Sequence, residues 1–392
     1  MKKLVSNQIS PHFKGIDALY AISQIKNIGR KKNVDFSEFL GTKNYFLFNA
    51  ARSGLGILVD TLNVPKEKKI GIPAFCCAVM ATPFLSRGYE IEWIDTDERG
   101  IISISDFEKK RDNISLIITV HTFGQHAPIS EIFALAKEKN IFVVEDGAHF
   151  FDTNLEYCDA KLLSFGREKD VSCVSGGALL FPNDSPLIKP FQNLSLSPQK
   201  KWETFQLLLH PLIFSLAIPL WYAGWIGKAI VWIGKKLKLI PLAVTKMEKE
   251  GHEDFPCSQL SFSLQKVLMR QLKKRKEGLH NREIVAKEWQ KTFTEIFPDQ
   301  KIIIPENFFR VIVIAKNARK IKNDVQNWGF DLNEWEGYPI APKGVHNEYF
   351  NYLSDSCPNA EQYSQKYITF PCNPRTSEQD ILRFRTMWKL LQ

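Results

Sequence analysis

The sequence predicts an α/β protein with a large domain on a mostly parallel sheet, a smaller C-terminal α+β domain and an apolar helical insert. Three observations lead to this prediction. Short β-branched runs alternate with amphipathic stretches between residues 45 and 182. Residues 204–227 contain no Asp, Glu, Lys or Arg. Strand-like runs return only far downstream, at 301–315 and 366–371. Repeated strand–helix–strand units are typical of doubly wound domains.

The large domain is predicted from continuous apolar runs that suit strands buried on both faces of a parallel sheet. The predicted strands are residues 68–75, 90–97, 115–124 and 140–149, and helical spacing marks residues 55–64 and 130–140. Ligands bind at the carboxyl ends of such strands. The polar residues and the glycine at these ends are His121, Gly124, Glu145, Asp146 and His149.

Composition and charge exclude several classes of protein. The 392 residues, 44% hydrophobic and 24% charged, are ordinary globular values that exclude disorder and collagen-like chains. The seven Cys form no CxxC pair, so we expect no metal site, no disulfide framework and a cytoplasmic location. The first residues, MKKLVSNQISPHFKG, lack the apolar core of a signal peptide. No pattern of a nucleic-acid-binding surface accompanies the net charge of +9, and we expect no such partner.

The positive charge lies in the second half of the chain, around the uncharged stretch. Residues 1–200 carry 24 basic and 23 acidic side chains, whereas residues 201–392 carry 28 and 20. The uncharged stretch is long enough to cross a bilayer, which takes about 20 residues. However, Pro211, Pro219, Gly224 and Gly227 are expected to break it.

Aromatic and basic residues in this region suit helices that lie in the headgroup layer of the cytoplasmic membrane's inner face. Packing against the core or a dimer interface is the alternative, and a true span is a third. The predicted domains are 1–200 for the N-terminal segment and large domain, 201–250 for the insert, and 251–392 for a linking helix and the small domain. The residues predicted to contact the membrane are Trp221, Trp225, Lys228, Trp232, Lys235 and Lys236.

Three features of the large domain carry the chemistry. NAARSGLGILVD (49–60) is a small-residue turn into a helix, whose free N–H groups and Arg52 and Ser53 suit a phosphate. VVEDGAH (143–149) places Asp146 at the end of a buried strand, where it needs a cationic partner. SFGREKDVSCVSGGALLF (164–181) places Lys169 in a loop before a Gly-Gly turn. Together they are what pyridoxal 5'-phosphate (PLP) requires.

The sequence resembles the DegT/DnrJ/EryC1/StrS family, sugar aminotransferases of the fold-type I PLP class. The motifs VHTFGQ, VEDGAH and SFGREKxxSxxSGG carry the resemblance over residues 35–182, and it continues more weakly through residues 255–272 and 356–371. It implies a fold-type I aminotransferase-like fold and a homodimer.

The resemblance also implies roles for individual residues. Lys169 would link covalently to PLP and move the proton as general base and acid, Asp146 would pair with the pyridine nitrogen, and His149 would contact the phenolic side of the ring. Phosphate contacts fall on Arg52, Ser53 and Ser164. Two positions depart from the family: Ala51-Arg52 replaces its Gly-Thr turn, and Cys77 stands where an aromatic residue often stacks on PLP. The full set of implied cofactor-binding residues is Arg52, Ser53, Cys77, Asp146, His149, Ser164 and Lys169.

The resemblance implies a PLP-dependent aminotransferase that converts a ketosugar, nucleotide- or lipid-linked, to an amino sugar with an amino-acid donor such as glutamate. The insert favours a place in cell-surface polysaccharide or glycolipid assembly at the membrane. Two alternatives stay open at this point. One is a PLP-dependent lyase or synthase acting on a lipid precursor, and the other is a non-catalytic membrane-associated sugar-binding module.

Overall fold

The computed structural model describes residues 4–7, 13–254, 256–332, 335 and 337–390. Phe255, the first residue of the region 255–272, lies outside the described residues, and the helix in that region begins at Phe262. The N-terminal segment contributes β1 (Val5–Ser6), α1 (Gly15–Ser23) and α2 (Ser37–Leu40).

The large domain contains eight further strands and five helices. In chain order they are β2 (Tyr45–Phe48), α3 (Ala51–Leu62), β3 (Lys69–Pro73), β4 (Cys76–Cys77), α4 (Thr82–Leu85), β5 (Ile91–Ile94), α5 (Ile104–Lys110), β6 (Ile114–Val120), α6 (Ile129–Lys137), β7 (Phe142–Asp146), β8 (Ala160–Ser164), β9 (Gly177–Leu180) and α7 (Ile188–Gln192). All four predicted strands form, each shorter than its apolar run.

A seven-stranded sheet in the order β2-β9-β8-β7-β6-β3-β5 forms the centre of this domain. The five strands from β8 to β5 run parallel, and β9 runs antiparallel to both of its neighbours. Most of β6 and β7 is buried, as their apolar runs predict for strands covered on both faces. The prediction of a mostly parallel sheet is confirmed.

The sheet brings the predicted polar residues to one edge. Val120 pairs with Asp146, and Asp146 pairs with Leu162, so β6, β7 and β8 all end at this level. The residues that follow these strands therefore meet at their carboxyl ends.

The insert is helical, and two of the four residues expected to break it, Pro219 and Gly224, lie between its helices. It contains α8 (Lys201–Ala217), α9 (Ile226–Lys236) and α10 (Lys246–Lys249). Pro211 lies inside α8 and Gly227 in the first turn of α9, so neither ends a helix. A proline removes one hydrogen bond from a helix. The helix α8 nevertheless continues through Pro211, because one face of it is buried against the rest of the protein. The break falls at residues 218–225, where Gly224 and Trp225 adopt left-handed φ angles of 53° and 69°.

None of the helices in the described part of the chain is both long and apolar enough to cross a membrane. The inner face of α8 packs on the large domain, where Leu207 and Leu208 share a core with Phe13 and Leu264.

The linking helices and the small domain follow the insert. They comprise α11 (Phe262–Lys273), α12 (Arg275–Ile296), β10 (Lys301–Ile303), β11 (Arg310–Ile314), α13 (Ala318–Gln326), β12 (Phe330–Asp331), β13 (Ile340–Ala341), α14 (Pro358–Lys366), β14 (Tyr367–Pro371) and α15 (Glu378–Lys389). The apolar run 301–315 is two strands, because a turn at Pro305 interrupts it. Strands β10, β11 and β14 form an antiparallel sheet over a core that includes Trp289 and Phe293.

Two short pairings join the small domain to the rest of the chain. Strand β13 pairs with β4, so Ile340 lies beside Cys76 and Ala341 beside Cys77. Strand β12 pairs with β1. The first of these pairings seats the small domain directly against the carboxyl edge of the large sheet.

Candidate active site

A cavity of about 1190 Å³ lies at the carboxyl edge of the parallel strands. One wall comes from the large domain, a second from residues 241–244 and 249 of the insert, and a third from the small domain. The predicted site residues that line it are Arg52, Cys77, Asp146, His149, Ser164 and Lys169. Ser53 is buried and does not line the cavity; its hydroxyl has no hydrogen-bond partner among the described residues.

Lys169 lies in the loop between β8 and β9, with its Nζ 3.0 Å from His149 Nε2. Burial lowers the pKa of the Lys169 ammonium, although the nearby Asp146 carboxylate acts to raise it. Desolvation of this kind increases the fraction of free amine, which is the form that attacks a carbonyl carbon.

His149 is held as a neutral ring. Burial lowers the pKa of His149 well below its usual value, and the positive charge of Lys169 adds to this effect. Its Nδ1 accepts a hydrogen bond of 3.2 Å from the Phe123 N–H, so in the neutral ring the proton lies on Nε2. With this tautomer, His149 can donate its Nε2 proton to the Lys169 amine whenever that amine is unprotonated. The ring stacks on Phe309, with centroids 5.1 Å apart.

Asp146 ends β7 with only 2% of its surface exposed. Its Oδ1 accepts a hydrogen bond of 2.8 Å from the Ala148 N–H. Burial raises the pKa of Asp146, and the charge of Lys169 opposes that rise. No described Lys, Arg or His forms an ion pair with Asp146, so a cationic group that entered the cavity would find an unpaired carboxylate.

The loop that carries Lys169 is anchored from beneath by Asp170. This carboxylate pairs with Arg282 and accepts a hydrogen bond of 3.0 Å from the Phe151 N–H. Burial acts to raise the pKa of Asp170, but Arg282 and Arg275 outweigh it and the pKa is lowered. The anchor connects the loop to α12 and fixes the residue directly after Lys169.

The turn before α3 lies against β9 because Gly177 allows a close approach. A Cβ at Gly177 would lie 2.4 Å from the Ala51 Cα, so a side chain there would displace the start of α3. Ala50 caps this helix without a side-chain hydrogen bond, so the first-turn N–H groups receive no acceptor from the cap, and Ala50, Ala51 and Arg52 line the cavity. Such a helix start is suited to an anion.

Several lining residues were not predicted from the sequence. Glu168 lines the cavity beside Lys169; burial raises the pKa of Glu168 to about 6 against the charges of Arg310 and Lys169. Trp335 lines it too, and its ring lies 5.7 Å from that of His149. The wall that the small domain contributes, called the far wall below, was indicated in the sequence only by the excess of basic residues in the second half of the chain. That wall carries Lys316, Arg319, Lys322, Lys343 and Lys366.

The outer face of α9 is exposed and apolar. Trp225 is 73% exposed and Trp232 60% exposed, and Lys228 and Lys236 lie over these rings at 4.5 and 4.9 Å. Lys235 is also exposed. Trp221 differs from this set, since it packs against a small cluster that includes Phe214. We use the name α9 face for Trp225, Ile226, Trp232, Ile233 and Leu237.

Comparison with known proteins supports the predicted family resemblance. Residues 25–209, slightly less than half of the chain, match the DegT/DnrJ/EryC1/StrS aminotransferase family. The resemblance predicted from the sequence is confirmed over these residues of the chain. Among its curated relatives is the UDP-4-amino-4,6-dideoxy-N-acetyl-beta-L-altrosamine transaminase of Campylobacter jejuni, 26% identical over 206 residues. That match covers 48% of this chain and 54% of the relative, so it spans about half of the length of each.

Two further similarities extend over nearly the whole chain. The spore coat polysaccharide biosynthesis protein SpsC of Bacillus subtilis is 20% identical over 371 residues, covering 88% of this chain and 85% of the relative. A Streptococcus pneumoniae protein described as a sugar aminotransferase has a solved PMP form with a TM-score of 0.71 at 15% identity, covering 98% of this chain and 96% of the other. Its PLP form is also known. The prediction of a fold-type I aminotransferase-like fold is confirmed.

Proposed function

We propose that the chain is a PLP-dependent aminotransferase that converts a ketosugar to an amino sugar with an amino-acid donor such as glutamate. The observation that carries the proposal is the contact of the Lys169 amine with His149 beside the unpaired Asp146 carboxylate. PLP fits these residues, because they offer a nucleophilic amine and a buried acid for the pyridine nitrogen. Lys169 would hold it covalently, Asp146 and His149 would contact its ring, and Arg52, Ser164 and the start of α3 lie where its phosphate is expected.

When bound, PLP supplies an electron sink for the substrate carbon. The residues of this chain orient and move the proton. Lys169 would take up and return it, and burial lowers the pKa of its ammonium, which favours the free amine that acts as the base. His149 orients the amine through its Nε2 proton, and the stacked Phe309 ring holds the imidazole in place.

The proposed acceptor is a sugar that carries a diphosphate, linked to a nucleotide or a lipid. The Campylobacter jejuni relative is named for a UDP-linked sugar. Support in this chain comes from Lys316, Arg319, Lys343 and Lys366, which line the far wall and form no ion pair with a described acidic residue. Cations of this kind suit phosphate oxygens in either type of acceptor.

We further propose that the enzyme works at the inner face of the cytoplasmic membrane, in cell-surface polysaccharide or glycolipid assembly. The α9 face supports this, because its exposed aromatic side chains lie beside the lysines of α9, and this helix carries no acidic residue. The Bacillus subtilis relative is named for polysaccharide biosynthesis. We expect a homodimer, as the family resemblance implies.

A transamination assay tests the proposal. Purified protein with PLP, glutamate and a nucleotide-linked ketosugar should release 2-oxoglutarate and an amino sugar in equal amounts. Turnover without a keto acid would instead indicate a lyase or synthase. No PLP absorbance in the loaded protein would indicate a non-catalytic module. The same assay with a polyprenyl-linked ketosugar separates the two acceptors, and a strong preference for the nucleotide form would exclude the lipid-linked one.

A further inference from the structure

The insert reaches into the cavity through a segment that we call the strap, residues 241–249. The strap follows α9 and ends in α10. Its first part, Pro241, Leu242, Ala243 and Val244, forms part of the cavity wall, together with Lys249 at its end. Of the uncharged stretch, residues 204–227, only Leu207 lines the cavity, and no residue of α9 does.

Cationic side chains hold the strap in place. Arg167 donates a hydrogen bond to the Pro241 carbonyl. Arg52 donates through Nη1 to the Ala243 carbonyl at 3.3 Å. At the far end, Lys249 donates to the Lys343 carbonyl of the small domain at 2.8 Å. The strap thus bridges the turn before α3 and the small domain.

Arg52 also holds the strap through an ion pair. Arg52 Nε lies 2.6 Å from Glu248 Oε1, and the Glu248 side chain is completely buried. The other carboxylate oxygen, Oε2, accepts a hydrogen bond of 2.8 Å from the Thr245 N–H, which caps α10. Both oxygens of Glu248 are therefore committed, one to the strap itself and one to the guanidinium at the start of α3.

Glu248 places a negative charge beside the anion-binding start of α3. Arg52 is the only cationic side chain in the first turn of α3. A phosphate group there would gain this guanidinium but would face the carboxylate that already binds it, and like charges at short distance repel strongly. The phosphate and Glu248 therefore compete for one cation.

We propose that Glu248 is a built-in competitor for Arg52, which holds the strap across the cavity until a phosphate group takes the guanidinium from it. The proposal rests on the proposed function, since it assigns the phosphate of PLP to the start of α3. It makes Glu248 a positioning residue, because it acts through Arg52 and the strap. A phosphate group bound at the start of α3 and the ion pair that holds the strap across the cavity then exclude each other.

Two variants, one in α10 and one at the residue that directly follows it, separate the roles of charge and structure. Glu248→Gln keeps an oxygen for the Thr245 N–H and removes the charge. Glu250→Gln is the matched control, because Glu250 lies two residues away and pairs only loosely with Lys246, at 3.7 Å. Binding is measured by absorbance titration of the full-length protein with PLP, and with pyridoxal, which lacks the phosphate.

Glu248→Gln should lower the Kd for PLP about tenfold, in line with removal of a like charge close to the anion. It should leave the Kd for pyridoxal unchanged, and Glu250→Gln should leave both unchanged. A PLP Kd that is unchanged or raised in Glu248→Gln would overturn the proposal, as would an equal effect on pyridoxal.

Hydrogen exchange of the unloaded protein tests the strap without any cofactor. Glu248→Gln should speed amide exchange in residues 241–250, and PLP should speed it in the wild type. Equal amide exchange in the wild type and in Glu248→Gln would contradict the proposal on Glu248 and leave the proposed function unaffected. Failure of every variant to bind PLP, with faster strap exchange in Glu248→Gln, would instead reject the proposed function and leave the ion pair as the closure of the strap.

Discussion

At the scale of residues, desolvation determines which protonation states the side chains of the site favour. Lys169, His149 and Asp146 all face one cavity, where burial favours the neutral form of each group. Lys169 and Asp146 each favour the charged form of the other and so oppose the effect of burial on its pKa. His149 has no such partner, and its ring stays neutral. The result is a nucleophilic amine held by an imidazole N–H, next to a carboxyl group that responds to whichever cation enters.

Asp146→Asn isolates the charge of this carboxyl group. The amide oxygen of the variant side chain would still accept the hydrogen bond from the Ala148 N–H, so the thermal midpoint should change little. Turnover should fall by about 10²-fold or more, the usual effect of losing one preorganised electrostatic contact. Steady-state rates with glutamate measure this. Asp112→Asn, at an exposed pair with Lys139, is the control and should retain full activity. An Asp146→Asn enzyme with near wild-type turnover would refute the assigned role.

The sequence was sufficient for these three residues because each stands in a local motif at the end of a strand. It was insufficient for Trp335, which lines the cavity from a distant part of the chain, and for Glu248, which does not line the cavity but pairs with Arg52 at its wall. Ser53 differs from the three motif residues, because it does not line the cavity. Its place beside Arg52 suggested a phosphate contact, but one residue along a helix rotates the side chain by about 100°. Ser53 is therefore buried behind the cavity wall.

At the scale of elements, the lysine loop depends on an ion pair outside the cavity. Asp170 and Arg282 are almost completely buried, and their pairing fixes the loop to α12. Removing one partner of a buried pair leaves the other charge uncompensated. Such anchors were not predicted, because Asp170 and Arg282 are far apart in sequence and neither belongs to a motif.

Asp170→Asn should lower the free energy of unfolding by about 3 kcal/mol at pH 7. The folded pKa of Asp170 is lowered, so its contribution is present above the unfolded value of 3.8 and is lost as the pH falls through the folded pKa. The difference between wild type and variant should thus be constant from pH 7 to pH 5 and shrink below about pH 4. Urea unfolding at several pH values measures it. A difference that grows on acidification would contradict the assignment.

At the scale of the whole molecule, the insert links two surfaces. Its outer side presents the α9 face, and its strap lines the cavity. The sequence predicted the first surface from its aromatic and basic composition. It could not predict the second, since the contact between Arg52 and Glu248 joins residues that only the fold brings together. Part of the positive charge of the second half lies on the lysines of α9, and another part lies on the far wall of the cavity.

The proposed membrane contact predicts binding to anionic vesicles through the α9 face. Replacing Trp225 and Trp232 together with Ala should abolish co-flotation with phosphatidylserine-containing vesicles, because both indoles are exposed and apolar. Trp202→Ala is the matched control, since Trp202 is 56% exposed at the start of α8, outside the α9 face, and should float as the wild type does. Wild-type protein that fails to float would exclude membrane contact through this face.

The central claim is that Lys169 is the amine that holds the cofactor and moves the proton. The most direct test is Lys169→Ala, followed by the visible spectrum after loading with PLP and by turnover with glutamate and a ketosugar. We predict that the absorbance of lysine-bound PLP disappears and that turnover falls to background, while the far-UV circular dichroism stays unchanged. A variant that keeps both the visible band and full turnover would contradict the assignment of Lys169 and, with it, the active site described above.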